Sequence, residues 1–428
     1  MTVNEETTGD AQDRDGDLLA GSNELVEVAP GIFGQQQAGW LLTIPTDDGL
    51  VQIDTGDDAS ASIASIRRRF DQPFCVIAFS HGHPRYNFSA RRWVLHNVEQ
   101  FGRSPRVVGH ENVVRRQQRY VDSAGLQNRI IERQFRYPKG SLDGRQLEFM
   151  SPTETFSSSL RINSGEQTID LLWAPSETDD AIAAWFPDQR VMYGGAACIP
   201  FFPNVGSPQR SCRDALRWAN TLDRLATYPA ETLILEFGPP IEGTSAIQEY
   251  LQSTGAALRW CHETVIGLMN QGYNSHEIIN MVEFPGEIFD RPWLAEGYTS
   301  RQHVLRDVYR GQFGWWEDQN PTSLNPAHPA EVAAEVRAAI GDPGAVLAHA
   351  RSLAGRGQVQ LALHVVDLVA LGAGFDEVTI EARALKVELC RAAADSTTSY
   401  VTQSLYLNGA DELERTNSAT TEPDADDG

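Results

Sequence analysis

Between residues 25 and 53, short apolar runs alternate with turn residues. Val26-Glu27-Val28 leads into Pro30-Gly31. Trp40–Ile44 and Leu50–Ile53 flank Asp47-Asp48-Gly49, which predicts a hairpin. The second run ends in Asp54-Thr55-Gly56, and a polar helix is expected over 59–69. Cys75-Val76-Ile77-Ala78-Phe79 is continuously apolar, the pattern of a fully buried strand, and it runs into Ser80-His81-Gly82-His83. Arg106–His110 reads as another strand. Strand and helix patterns alternate to about residue 243, which predicts an α/β fold. Beyond 246 the period becomes helical. Helices are expected over 246–269, 276–282, 301–313, 329–340, 343–353, 359–371 and 377–394. Gly-Asp-Pro-Gly (341–344), Gly-Arg-Gly (355–357) and Gly-Ala-Gly-Phe (372–375) separate the later ones as stops and starts. The domain boundary is therefore placed near 245, giving domains 23–245 and 246–411.

The 428 residues suit two domains. Acids outnumber bases, 58 to 35, for a net charge of -23, which excludes the basic footprint of a nucleic-acid-binding protein. The acids concentrate at the ends. Residues 1–22 carry a net -5 and 411–428 a net -6, both without aromatics or apolar periodicity. Tails at 1–22 and 412–428 are expected to be disordered. The five scattered cysteines form no C-x-x-C pair and fit a reducing cytoplasm. With no charged-then-apolar leader and no apolar run near the ~18 residues of a membrane span, the expectation is a cytoplasmic protein without membrane contact.

Apolar strand, Asp-Thr-Gly, helix, apolar strand and Ser-His-Gly-His, in that order, resemble the metallo-β-lactamase fold. Gly109-His110-Glu111-Asn112 with Arg119-Tyr120, Glu177-Thr178-Asp179-Asp180, Phe202-Pro203-Asn204-Val205-Gly206, Met269–Tyr273 and Gly314-Trp315-Trp316 resemble its alkyl sulfatase branch. The resemblance covers roughly residues 23–411. It implies an αβ/βα sandwich followed by an all-helical dimerisation domain ending near Tyr406–Ala410. Relatives of this branch usually continue into a sterol-carrier-like domain. None is expected here, so a separate small subunit of that type, or a homodimer through the helical domain, is expected to complete the assembly.

The family's loop reads His-x-His-x-Asp-His and converges on two metal ions. Here His81 and His83 match its first two histidines, but Arg85 and Tyr86 stand at the next two ligand positions. Ala196 and Phe237 occupy the positions of a bridging carboxylate and a histidine, and Glu177 remains. A guanidinium does not deprotonate at biological pH. At ~4 Å from a divalent ion its repulsion is several kcal/mol even at an effective dielectric of about 20. The expectation is thus a degenerate, metal-independent site with no cofactor. The fallback is one zinc on His81, His83 and Glu177.

In a metal-free site, His81, His83 and Glu177 are the candidate catalytic residues. Arg85, Tyr86, Asn204 and Arg210 are candidates for binding an anion. The chemistry this allows is a sulfate ester, free or carrier-protein-bound, losing sulfate in specialised metabolism. An internal amine displacing it would close a small ring such as an aziridine, with proximity supplying rate. The alternatives are an inactive scaffold subunit of a hetero-oligomer and a mononuclear zinc sulfate-ester hydrolase. Plainer readings stand beside these. Arg85 can serve as a surface cation or pair with Glu177, His110 as packing, Asp179-Asp180 as a helix cap, and Trp315-Trp316 as core or interface.

Overall fold

The computed structural model describes residues 21–418; the acidic segments 1–20 and 419–428 lie outside the described residues. The described residues carry two sheets. The first is built of β1 (Ser22–Ala29), β2 (Ile32–Gln36), β3 (Trp40–Thr46), β4 (Gly49–Ile53), β5 (Phe74–Ala78), β6 (Arg106–His110) and β7 (Glu154–Phe156), side by side in chain order. The pairs β1–β2, β2–β3 and β3–β4 are antiparallel, whereas β4 through β7 run parallel. The second sheet contains β8 (Ser159–Ser164), β9 (Gln167–Trp173), β10 (Ile182–Phe186), β11 (Val191–Tyr193), β12 (Thr232–Ile234) and β13 (Ile241–Glu242). They follow one another in that order from edge to edge. The hairpin expected at 47–49 joins β3 to β4 with Thr46 opposite Gly49. Gly49 has φ +132°, and a Cβ there would lie 2.4 Å from the Pro73 carbonyl oxygen, so only glycine fits.

One core lies between the sheets. Leu42, Ile44, Val51, Ile53, Val76 and Val108 of the first sheet meet Ile162, Leu171, Ile182, Phe186 and Ile234 of the second. The outer face of the first sheet is covered by helices Ala59–Arg67 and Ala90–Phe101, where Ile63, Ile66 and Trp93 join Leu50, Phe74, Ile77 and Val107. Strands buried on both faces explain the continuous apolar run of β5. Helix Ala215–Leu225 buries Trp218 and Leu222, with its Trp218 indole bonded to the Ala197 carbonyl and its Thr221 hydroxyl to that of Pro175. The helix–sheet–sheet–helix layering is the αβ/βα sandwich expected from the sequence.

The helical region has a core of its own, built from Leu347, Ala350, Val366, Leu385, Leu389 and Ala410 on four successive helices (Pro343–Gly355, Val359–Ala370, Glu377–Asp395 and Tyr400–Ser418). The division of the chain is not the linear cut at 245. Among the described residues, one compact unit comprises 21–124, 146–200 and 214–260; the other comprises 125–145, 201–213 and 261–418. The 26-residue helix Thr244–Met269 runs through the expected boundary. The stretch from 412, read as a disordered tail, is helical as far as Ser418. Its acids are paired: Glu414 with Arg391 at 2.8 Å, and Glu412 with Lys139 and Arg133 at 3.6 and 3.8 Å. Leu413 packs on the helical core. A charge count alone misses partners supplied from distant sequence. All five cysteines are free. No helix among the described residues is long and apolar enough to cross a membrane.

Candidate active site

The site is built at the C-terminal end of β5, where the apolar strand stops and Ser80-His81-Gly82-His83 begins. Asp54, at the end of β4, anchors this loop. Its φ of +60° is uncommon for a non-glycine residue. Its Oδ1 accepts the Ser80 backbone N–H at 2.8 Å and the Asn87 amide at 2.7 Å. Burial pushes the Asp54 carboxyl up to about 7, against the lowering effect of those hydrogen bonds. The backbone N–H groups of Thr55 and Gly56 both donate to the Tyr86 carbonyl, at 3.1 and 2.7 Å. Ile182 N–H reaches across from the second sheet to the Ser80 carbonyl at 2.8 Å.

This frame fixes a linear chain of side chains. Ser80 Oγ lies 2.9 Å from His81 Nδ1, and His81 Nε2 lies 2.9 Å from His83 Nδ1. His81 is fully buried, whereas His83 and Glu177 are one-fifth and one-sixth exposed. Two carboxylates flank the chain. Glu236 Oε1 is 3.9 Å from His81 Nε2, and Glu177 Oε2 is 3.9 Å from His83 Nδ1. The Tyr86 ring packs 4.2 Å from the His81 ring and its hydroxyl donates to the Ala38 carbonyl at 3.1 Å. Burial, and then the charge of Glu236, hold the Tyr86 phenol well above its ordinary value, so it stays a neutral donor.

The arrangement has two proton states. With His81 Nδ1–H donating to Ser80 Oγ, His81 Nε2 accepts from His83 Nδ1–H, and His83 Nε2 keeps a lone pair as a base. Reversing each bond gives the other neutral tautomer, with the proton on His83 Nε2 as a hydrogen-bond donor.

His81 Nε2 and His83 Nδ1 face each other at hydrogen-bond distance, with one carboxylate 3.9 Å from each. Among the described residues, no group of three or more His, Cys, Asp or Glu side chains is arranged to hold a metal ion.

Arg85, expected to project a cation into the pocket, instead bonds through Nε to Asp57 Oδ2 at 2.8 Å and is nearly half exposed. Its φ of +77° redirects the chain there, and the charge argument against metal loses its force at this residue. Asn204 and Arg210 fall in the other compact unit. There Arg210 is held by Gln134 Oε1 at 2.6 and 3.0 Å, and Arg213 donates to the Asn204 carbonyl. Asp179 and Asp180 precede β10 and cap no helix; both bind Arg116. His110 is packed, stacking on Trp173 with ring centres 5.3 Å apart and bonding to the Ser157 carbonyl. Trp315 is three-quarters exposed, and the Trp316 indole bonds to the Asn320 carbonyl.

Sequence reasoning missed Ser80, Glu236 and Asp180. Ser80 adjoins the histidine motif and was readable there. Glu236 and Asp180 come from distant segments, and only their burial reveals them.

Residues 274–416 match the alkyl sulfatase dimerisation family. The chain is 27% identical over 394 residues to the linear primary-alkylsulfatase of Pseudomonas sp. (strain ATCC 19151), covering 87% of this chain and 73% of that one. It is 25% identical over 426 residues to the (R)-specific secondary-alkylsulfatase of Pseudomonas sp, covering 91% and 62%. The solved structure of the stereoselective inverting sec-alkylsulfatase Pisa1 from Pseudomonas sp. shares the fold. Its TM-score is 0.80 at 22% identity, over 91% of this chain and 65% of that one. The chain therefore spans about three quarters of the first relative's length and under two thirds of the other two.

Proposed function

We propose that this chain belongs to the alkyl sulfatase branch of the metallo-β-lactamase superfamily and cleaves the C–O bond of a small sulfate ester without a metal, a reading supported by its dimerisation-family match and its alkylsulfatase relatives. The alkylsulfatase relatives support sulfate-ester cleavage in general. The observation that carries the metal-free reading is the Ser80–His81–His83 chain with Glu177 3.9 Å from His83 Nδ1.

In this reading His83 takes a proton from the nucleophile and passes charge inward, where His81 and Glu236 share it. Glu177 stabilises the imidazolium that forms. Arg85 stands two residues from His83, and an arriving sulfate offers it the oxyanion geometry that Asp57 now supplies. Tyr86 contributes its packing against His81.

The nucleophile we assign is an amine of the substrate itself. The amine lone pair forms the C–N bond as the C–O bond breaks, sulfate leaves with that electron pair, and the ammonium proton passes to His83. The product is a small nitrogen ring such as an aziridine. A metal-bound hydroxide is not needed, because the nucleophile is tethered. The dimerisation-family match supports a homo-oligomer. A sterol-carrier-like subunit, a carrier-bound substrate and a place in specialised metabolism are further parts of the proposal.

The test combines elemental analysis of the purified protein with sulfate release from a short 2-aminoalkyl sulfate and a short alkyl sulfate, with and without EDTA. Chelator-insensitive release from the amino ester, with a ring product by mass spectrometry and a loss of more than about 100-fold in H83A, supports the proposal. About one zinc per chain with activity lost to EDTA overturns it in favour of a zinc hydrolase. No turnover of either ester overturns it in favour of a scaffold.

A further inference from the structure

Behind the histidine loop sits a buried ion cluster that the reaction above does not use. Asp180, fully buried just before β10, accepts the Gly82 backbone N–H through Oδ2 at 2.7 Å. Its Oδ1 accepts Arg116 Nε at 2.6 Å. Arg116, on helix Asn112–Asp122, extends a second nitrogen to Asp179 Oδ1 at 2.5 Å, and its side chain is only 14% exposed. Gly82 is the residue between the two histidines. A Cβ there would lie 2.8 Å from Asp180 Oδ2 and 3.2 Å from Arg116 Cδ. The cluster thus lies flat against the loop, in space that any side chain would fill.

A buried ion pair is weak evidence for stability, since desolvation offsets much of its attraction. What it supplies is direction. Asp180 has one oxygen on Arg116 and one on the Gly82 amide, so its carboxylate plane is fixed at both ends. We infer that Arg116 and Asp180 are positioning residues, which hold the Gly82 amide and thereby set the 2.9 Å contact between His81 and His83. Without them the Gly82 amide loses its acceptor, and the peptide between the histidines is left with the long 3.5 Å bond from the Asn87 amide to the His81 carbonyl. The inference rests on the proton-transfer role proposed for His83, but its structural half is testable without turnover.

The variants are D180N, which keeps the shape and one acceptor oxygen but removes the charge, and R116K, which keeps the charge but loses the planar fork. Three readouts on the full chain decide the matter. Backbone hydrogen exchange at Gly82 is expected to rise at least tenfold in D180N, while the amides of β5 stay unchanged. Histidine C2–H exchange in the peptide holding His81 and His83 is expected to change about threefold or more, with His96 as the unaffected control. With the amino sulfate ester, kcat is expected to fall about 10- to 100-fold with KM within twofold, and R116K to be intermediate.

Unchanged Gly82 exchange, or faster Gly82 exchange with unaltered histidines and kcat, overturns the inference. If D180N does not fold, R116K carries the same readouts and decides. If the wild-type chain turns over no ester, the functional reading falls alone, and the two exchange measurements still decide whether the clamp exists.

Discussion

Replacing Asp54 with Asn should reverse the sign of its effect on stability across a narrow pH range. Asp54 is fully buried and its carboxyl is pushed up to about 7 by that burial, against 3.8 in the unfolded chain. Between these values the folded protein holds a proton that the unfolded chain has released. Stability from this group is complete below about pH 4 and is lost as pH rises through 7, because there the folded state must ionise a carboxyl without water. A difference of about 3 pH units at 1.36 kcal/mol each makes the loss about 4 kcal/mol. Asn keeps the acceptor oxygen for Ser80 N–H and the Asn87 amide but adds amide hydrogens to a dry site, which costs about 1–3 kcal/mol at every pH. D54N should therefore be less stable than wild type at pH 4.5 and more stable at pH 8. The assay is urea unfolding of both proteins at half-unit steps from pH 4.5 to 8.5, followed by tryptophan fluorescence. The difference between them cancels titrations common to both. A difference that stays constant within about 1 kcal/mol over that range refutes the reasoning.

Other outcomes follow from the same geometry. R85A should raise KM for a sulfate ester about tenfold and leave kcat within threefold; steady-state kinetics with an unchanged KM removes Arg85 from anion contact. W93A empties a site where the indole packs 5.0 Å from Phe74 and donates to Ser89 Oγ, and denaturant unfolding should show a loss of about 3–5 kcal/mol. In the helical region the buried Arg383 bonds to the Ala370 and Gly372 carbonyls at the end of helix Val359–Ala370 and lies over the Phe375 ring. R383M keeps much of the packing but leaves those carbonyls bare; denaturant unfolding should register about 2–3 kcal/mol, and a change under about 0.5 kcal/mol counts against the role.

The strands and the helical second half were legible because period and punctuation are local properties. The run Cys75–Phe79 announced a buried strand, and the residues after it announced the loop where the chemistry sits. Glu412 and Glu414 were misread because Arg391, Arg133 and Lys139, which pair with them, lie elsewhere in the chain. Arg85 was misread for a related reason. Its position in a motif gave its place on the loop, but its partner Asp57 and its positive φ belong to the fold.

By itself the sequence determined the strands around residues 40–53, 75–79 and 106–110, the helices of the second half and the place of His81 and His83, since each follows from residues close together along the chain; the αβ/βα layering was implied by the family resemblance. The tertiary structure alone decided what the histidines touch. Glu177 and Asp180 from one segment and Glu236 from another reach this loop only through sheet pairing and burial. In a dry site, those partners settle where a proton can rest and which group stays charged.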